Sequence, residues 1–424
     1  MPLIRYHDGM SEHQRSIHSN QTIESQQNPF DFAIVGGGII GKACALGLAQ
    51  IGYTVTQISP DFNKPLLSIN QFGQRIYALS PSSKNLLTEL HIWESLDHSR
   101  IQAVRDMCIY GDRGEKNDQL HFSAFEAGRP ELAWIIESDL IESTLTQAIR
   151  FNKNIFSIES DVDQISIESN QLPALRLNDG QTIQSKLIIA ADGAKSPLRS
   201  SVGIAADEYP YDQMAVVANF SCSTPHLETA YQWFLPNGDI LAMLPLPQQH
   251  VSMVWSTQIA HAKHLVDLDP PSWNQYFNSE VHQKLGNLQL QSQPASFPLK
   301  QIKAHRLIGP EYDPKAILVG DAAHVMHPLA GQGLNLGLRD VSSFLEIMKT
   351  KEAFRSIDDR TLLRRYERAR VADTRSLLWL TDRLKKLFSA NNSIEKQVRN
   401  WGLGLINRSH IIKRQLIERA LGDQ

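Results

Sequence analysis

Glycine-rich turns at positions 36, 192 and 331 are spread over most of the chain, so a nucleotide-type domain built from them must be assembled from separated segments. The first turn is the most complete. Residues 31–35 (DFAIV) form a short buried-type strand, and Gly36-Gly37-Gly38-Ile39-Ile40-Gly41 follows. A helical run then passes Ala45, Leu48 and Ala49 to Gly52, and residues 55–59 read as a second strand. This is G-x-G-x-x-G inside a strand–helix–strand unit. Gly36, Gly38 and Gly41 would give the tight turn, the close approach to a pyrophosphate and the helix–strand packing. Outside that setting the pattern is an ordinary tight turn; inside it, it is a dinucleotide site. The acid that should meet the ribose hydroxyls about 20 residues on is replaced by Ser59, with Asp61 close behind it. A serine hydrogen-bonds a ribose hydroxyl without charge, and so holds it less strongly.

Residues 316–340 (AILVGDAAHVMHPLAGQGLNLGLRD) carry the last turn. An apolar strand ends on Gly320-Asp321, a loop runs through Pro328 to Gly331-Gln332-Gly333, and Leu334, Leu338, Val341, Leu345 and Met348 then recur at helical spacing. The unpaired N–H groups of a helix start favour negative charge. Backbone groups of Gly331, Gln332, Gly333, Leu334 and Asn335 would therefore suit a ring that becomes anionic, and Asp321 would accept hydrogen bonds from a polyol chain. A reduced flavin has both features. His324 and His327 lie three apart with no nearby ligand set, which is poor zinc spacing, so no metal is expected. The middle element, residues 187–191 (LIIAA) ending on Asp192-Gly193, is on its own readable as a simple turn.

Composition bounds the rest. A chain of 424 residues holds one large or two interlocked domains. A net charge of −3, with no basic stripe interleaved with aromatics, gives no reason to expect nucleic acid. Cys44, Cys108 and Cys222 form no C-x-x-C, which argues against a disulfide framework and for a reducing compartment. The longest apolar run, residues 33–49, is broken by glycines and Lys42, so no membrane span is expected. Residues 1–30 lack the apolar core of a signal peptide and are rich in Gln, Ser, His and Asn, the composition of a disordered tail. A cytoplasmic protein, soluble or peripheral at the inner face of a membrane, is the expectation.

The fold expected is α/β: a Rossmann-like FAD-binding domain assembled from discontinuous segments (31–105, 138–205 and 306–358), with an antiparallel β-sheet substrate domain (106–137 and 206–305). Strand character at 107–110, 120–123, 214–222, 230–235, 240–244 and 251–256, joined by turns such as Pro236-Asn237-Gly238-Asp239, supports that sheet. Residues 359–424 read as C-terminal helices, basic at Arg364, Arg365, Arg368, Arg370, Arg375, Arg383, Lys385 and Lys386 before an apolar stretch at 401–406, with Arg408, Lys413, Arg414 and Arg419 after it. They form either a solvated helix pair or a face for a membrane surface or partner.

The three motifs, in this order, resemble those of the class A flavoprotein monooxygenases with the para-hydroxybenzoate hydroxylase fold. Residues 327–341 (HPLAGQGLNLGLRDV) are similar to the ubiquinone-biosynthesis hydroxylase branch, the UbiH/UbiF/VisC type. Residues 75–80 (RIYALS), 211–220 (YDQMAVVANF), 230–234 (AYQWF), 244–246 (LPL), 254–256 (VWS) and 366–370 (YERAR) also match, and the likeness covers about residues 31–421. Ser59, where the family usually has an acid, and the N-terminal extension depart from it. The resemblance implies FAD reduced by NAD(P)H, O2 trapped at the flavin C4a position, and one oxygen delivered to the ring of a polyprenylated phenol. It implies that Arg75, whose guanidinium fork suits phosphate, contacts FAD, and that Asp192 and Gly193 serve both FAD and nicotinamide. It places the antiparallel sheet as a lid over the flavin. Other ubiquinone-biosynthesis proteins as partners, and a homo-oligomer, are compatible with it. No catalytic base stands out: His226, Tyr211 and Tyr231 read as structural. Two alternatives stay open, a flavin-dependent hydroxylase of another small aromatic and a weakly active flavin-binding scaffold in a biosynthetic complex.

Overall fold

Residues 32–35 and 187–191 are apolar without alternation, the pattern of strands covered on both faces, and residues 55–59 (VTQIS) are buried throughout despite three polar side chains. In the computed structural model, which describes residues 28–62, 72–111, 119–169, 171–277, 279–326 and 332–389, they form the centre of a parallel sheet. Phe30–Val35 lies between Val55–Ser59 and Thr182–Ala190, parallel to both. Ile155–Glu159 extends the sheet on one side and Ala316–Leu318 on the other, again in parallel. Distant stretches of chain thus meet edge to edge, as the spacing of the motifs requires. The helices Ile39–Ile51, Ser138–Arg150 and Gln332–Lys349 pack together, and the helical stripe Leu334, Leu338, Val341, Leu345 and Met348 is buried in the same core as the sheet.

The second sheet has nine strands. Its spine is the 17-residue strand Ala206–Cys222, paired antiparallel with His250–Gln258 and Ala295–Ala304. Ile240–Leu246 and Thr229–Phe234 follow as antiparallel neighbours, then Asp106–Tyr110 in parallel and Gln119–Ser123. Alternation along these strands gives the sheet two unlike faces. One carries Val216, Phe220, Trp233, Leu241, Met243, Met253 and Trp255 into a core closed by Leu265, Trp273 and Phe277. The other carries Ala215, Val217, Ala230, Gln232, Ala242, Leu244, Ser252 and Val254 toward the parallel sheet.

The two halves are stitched together more closely than a division at residue 137 suggests. Ala133–Glu137 pairs with Ile76–Leu79 and Gln102–Val104 in a three-stranded sheet, and Trp134 and Ile136 belong to the larger core. His324–Val325, from the cofactor-side loop, adds a short strand to the edge of Ala295–Ala304. The chain continues into a 30-residue helix, Arg360–Ser389. Residues 1–27 of the N-terminal tail, His327, Pro328 and Gly331, and the whole of 390–424 with its apolar stretch and Arg408, Lys413, Arg414 and Arg419, lie outside the described residues. So do the side chains of Gln332, Arg375, Arg383, Lys385 and Lys386. Among the described residues no helix is long and apolar enough to cross a membrane, and no group of acidic, Cys and His residues is arranged to hold a metal ion.

Candidate active site

The first turn is shaped by contacts that exclude side chains. Gly36 has φ +127°, and a Cβ there would lie 2.1 Å from the Ala191 carbonyl oxygen; at Gly41 it would lie 2.3 Å from the oxygen of Gly36. Glycine alone fits both places. A Cβ on Gly38, in contrast, would meet nothing within 4 Å, because that position opens on a cavity. The helix beginning at Ile39 has no side-chain cap on its N–H groups, and Gly38 itself has extended backbone. Its free donors therefore face the space that an anionic group would fill. Ser59 ends its strand buried, with Oγ 2.5 Å from where a Gly37 Cβ would stand and 3.4 Å from the Asp61 amide that donates to it.

The other two turns converge here. Asp192 is not used on the surface: its Oδ2 accepts the Leu198 amide at 3.1 Å, while Oδ1 is buried without a partner among the described residues. Burial raises its pKa against the opposing hydrogen bonds of Ser196 and Leu198. Arg199, almost wholly buried, donates to the carbonyls of Ala322 at 2.9 Å and Ala194 at 3.2 Å, and so ties the Asp192-Gly193 loop to the Gly320-Asp321 loop. Asp321 projects into the cavity, yet enough protein surrounds it that desolvation raises its pKa despite the lowering influence of His324 and Arg75.

Asn335 has an unexpected task. Its Oδ1 accepts from the Ser80 amide (2.9 Å) and the Ser83 hydroxyl (2.7 Å), and its Nδ2 donates to the Ala78 carbonyl (2.8 Å). The side chain thereby clamps the segment after Arg75 to the helix Gln332–Lys349. Arg75 itself borders the cavity, with its guanidinium 5.9 Å from the Phe297 ring centre.

A cavity of about 580 Å³ connects these parts, well within the size of small-molecule sites. On one side it is bounded by Gly38, Gly41, Arg75, Gly193, Asp321, Gly333 and Leu334, and on the other by the small-residue face of the nine-stranded sheet. The donor set fits a flavin dinucleotide: glycine backbone at a helix start for pyrophosphate, a carboxylate for hydroxyls, a guanidinium, and a second helix start at Gly333-Leu334 on the same cavity. Seven of the residues expected from sequence to touch the cofactor therefore share one cavity. Gly36 supports the turn from behind, Ser59 and Asp192 sit beneath it, and the Asn335 side chain is engaged elsewhere.

Comparison with known proteins agrees with this geometry. A family model described as an FAD binding domain matches residues 30–378. The chain is 31% identical over 396 residues to 3-demethoxyubiquinol 3-hydroxylase of Escherichia coli K12, covering 93% of this chain and 99% of that protein. It belongs to the FAD-dependent ubiquinone-biosynthesis hydroxylases. Within this family it is also 30% identical to the mitochondrial ubiquinone biosynthesis monooxygenase COQ6 of Mus musculus, over 93% of this chain and 91% of the mouse protein. The fold recurs in p-nitrophenol 4-monooxygenase PnpA from Pseudomonas putida, with a TM-score of 0.72 at 15% identity over 93% of this chain and 99% of that one. It recurs in Klebsiella pneumoniae HpxO complexed with FAD and uric acid, with a TM-score of 0.69 at 16% identity over 92% and 97%. The chain is thus an FAD-binding monooxygenase.

Sequence reasoning missed Arg199 and Asp340, and it named Asn335 for its backbone without the task of its side chain. Arg199 leaves no sequence signal, since its partners are carbonyl oxygens distant in the chain. Asn335 was detectable: an amide set among the leucines of a buried helical stripe needs partners. The lid residues have structural tasks. His226 Nε2 lies 2.9 Å from the Leu246 carbonyl and its Nδ1 accepts the Glu228 amide; burial lowers its pKa. Tyr211 donates to Gln301 at 3.1 Å, and Tyr231 stacks on Trp233.

Proposed function

We propose that this chain uses FAD and NAD(P)H to hydroxylate the aromatic ring of a polyprenylated phenol in ubiquinone biosynthesis, inserting one atom of O2. The observation that carries this is the single cavity shared by the cofactor residues and the small-residue sheet face. It gives a flat ring a place directly against a flavin, out of bulk water.

In this reading Gly36, Gly38 and Gly41 shape the pyrophosphate site, Ser59 meets the ribose, Arg75 neutralises phosphate, and Asp321 holds the ribityl chain. Backbone N–H groups from Gly331 to Asn335, with Pro328 leading in, stabilise negative charge on the ring; Asp192 and Gly193 shape the loop that nicotinamide approaches. Bound FAD supplies the electron transfer and oxygen chemistry. The protein's part is to exclude water and hold the substrate carbon in line. Ala215, Val217, Ala230, Ala242, Leu244 and Val254 line most of the sheet side, Lys300 there is paired with Glu208, and the ring's own electrons carry the attack in this reading.

A long prenyl tail requires contact with a bilayer or a carrier. Exposed Arg364 and Arg368 on the last described helix are available for this, and each cation near an anionic surface adds about 1 kcal/mol. Arg370 is not available, being buried against Asp340. The deciding experiment is to identify the quinone precursor that accumulates when this protein is absent: a prenylated ring lacking one hydroxyl supports the proposal, and an unchanged quinone profile overturns it.

A further inference from the structure

The substrate side of the cavity is mostly small and apolar, which makes the neutral polar groups on its sheet face informative. Across the sheet, Gln232 pairs with Ala242, Ala242 with Val254, and Val254 with Val217. All four line the cavity, as do Ala230, Leu244 and Ala215 on the same face. Small side chains in one row form a slot, leaving the sheet side of the cavity open to a flat ring. Gln232 stands at one end of that slot. It is only 6% exposed, yet among the described residues its amide has no hydrogen-bond partner.

The amide is not sealed off: it opens into the space a substrate would enter, where a ligand can supply the hydrogen-bond partner that a polar group on a buried face needs. Of the cations that border the cavity, Lys300 is paired with Glu208 at 3.4 Å, and Arg75 stands beside Asp321 on the cofactor side. The row of small residues itself offers no charge for a carboxylate. It offers a neutral group that both donates and accepts.

We propose that Gln232 is the specificity-determining residue of this site, its amide hydrogen-bonding the hydroxyl of an uncharged phenol. This rests on the function proposed above. Accepting the phenol O–H through the amide oxygen leaves the ring neutral and electron-rich, and it fixes which carbon faces the flavin. Ser252, also buried and without a partner among the described residues, lies on the same face two strands away, where it can receive a second ring oxygen. Gln232 acts by positioning; no proton or electron passes through it.

The test compares 2-farnesylphenol with its methyl ether, which cannot donate a hydrogen bond. Binding to the FAD-loaded protein is followed by the change in flavin absorbance, and NAD(P)H consumption is compared with hydroxylated product. The native protein should prefer the phenol by about tenfold, the worth of one buried hydrogen bond. Gln232→Met keeps length and volume but cannot hydrogen-bond, and should erase the preference by weakening the phenol alone. It should also divert more NAD(P)H to hydrogen peroxide, because a loosely held ring misses the oxygen. If Met fails to retain FAD, Gln232→Leu replaces it. Equal binding of phenol and ether by the native protein, or a Met or Leu variant that keeps both preference and coupling, overturns the assignment. Because the titration needs no turnover, a native protein that prefers the phenol but hydroxylates nothing would refute the proposed reaction while leaving the role of Gln232 standing.

Discussion

Asp340 and Arg370, on consecutive helices, meet at 2.6 Å (Oδ1 to Nε) with both side chains almost wholly buried. The other oxygen of Asp340 accepts the Gly320 amide at 2.9 Å and lies 2.8 Å from His324 Nε2. Arg370 also reaches Asp373 at 2.7 Å. The turn that presents Asp321 to the cavity is therefore held, through Asp340, by the helix Arg360–Ser389. A buried pair of this kind says little about net stability, but removing one partner strands the other.

Arg370→Met should cost about 3–5 kcal/mol of unfolding free energy, read from urea denaturation, and should lower the FAD retained on purification. The double change with Asp340→Leu should cost less than the sum of the single changes. The pH dependence follows from Asp340. Burial alone would raise its pKa, but His324 and Arg370 outweigh burial and hold it below the ordinary value. A depressed carboxylate contributes stability above its unfolded pKa and loses it as pH falls through the folded one. The native protein should therefore keep this contribution at neutral pH and lose it as pH falls below the ordinary carboxylate range, whereas Asp340→Asn should remove that part of the acid sensitivity, as followed by circular dichroism and flavin fluorescence.

Asp321 should show the opposite sign. Desolvation by the surrounding protein raises its pKa, so its ionised form opposes folding as pH rises through and above the ordinary carboxylate range. Asp321→Asn should stabilise the flavin-free protein at neutral pH by about 1 kcal/mol, the usual gain from relieving a strained functional group. The gain should shrink as pH falls into the ordinary carboxylate range and the native carboxyl takes up its proton. The same variant should bind FAD more weakly. Melting curves of the flavin-free and FAD-loaded forms across pH provide the check.

The glycines separate fold from ligand. Among the described residues a Cβ at Gly333 meets nothing within 4 Å, so Gly333→Val should leave the flavin-free protein folded with a normal melting temperature while abolishing FAD retention. Gly36→Ala must displace the Ala191 carbonyl from a positive φ, and should damage both. It should cost more than about 2 kcal/mol. A Gly333→Val protein with native FAD content and native NAD(P)H oxidation would place this helix start away from the flavin.

These contrasts show what the sequence could and could not reveal. Strand ends and helix starts were legible because the glycine turns, apolar runs and helical stripe are local patterns; Val55–Ser59 emerges with the bounds read from sequence. The convergence of three distant turns was legible too, since no single one could hold a dinucleotide. The side chains that fasten those turns were not. Arg199, Asn335 and Asp340 act on carbonyl and amide groups from other parts of the chain, and such long-range partners have no periodicity. Arg370 illustrates the reverse error: a basic helix reads as a solvated stripe, but this cation is a buried tie.

Ser59 is the one departure from the family pattern whose consequence can be measured simply. It lies against Gly37 at the end of its strand, where a ribose would come. Ser59→Glu should tighten FAD binding several-fold by exchanging a neutral for a charge-assisted hydrogen bond, measured by fluorescence quenching on titration with FAD. Unchanged or weaker binding would move the ribose contact to Asp61.

The account as a whole depends on oxygen from O2 reaching a substrate ring held between the flavin and the small-residue sheet face. The most direct measurement supplies the FAD-loaded protein with NAD(P)H, isotope-labelled O2 and 2-farnesylphenol, and analyses the products by mass spectrometry. The expected product is a ring-hydroxylated farnesylphenol carrying one labelled oxygen atom, with NAD(P)H oxidation faster in the presence of the phenol than without it. Labelled hydrogen peroxide as the sole oxygen product, at a rate indifferent to the phenol, would contradict it.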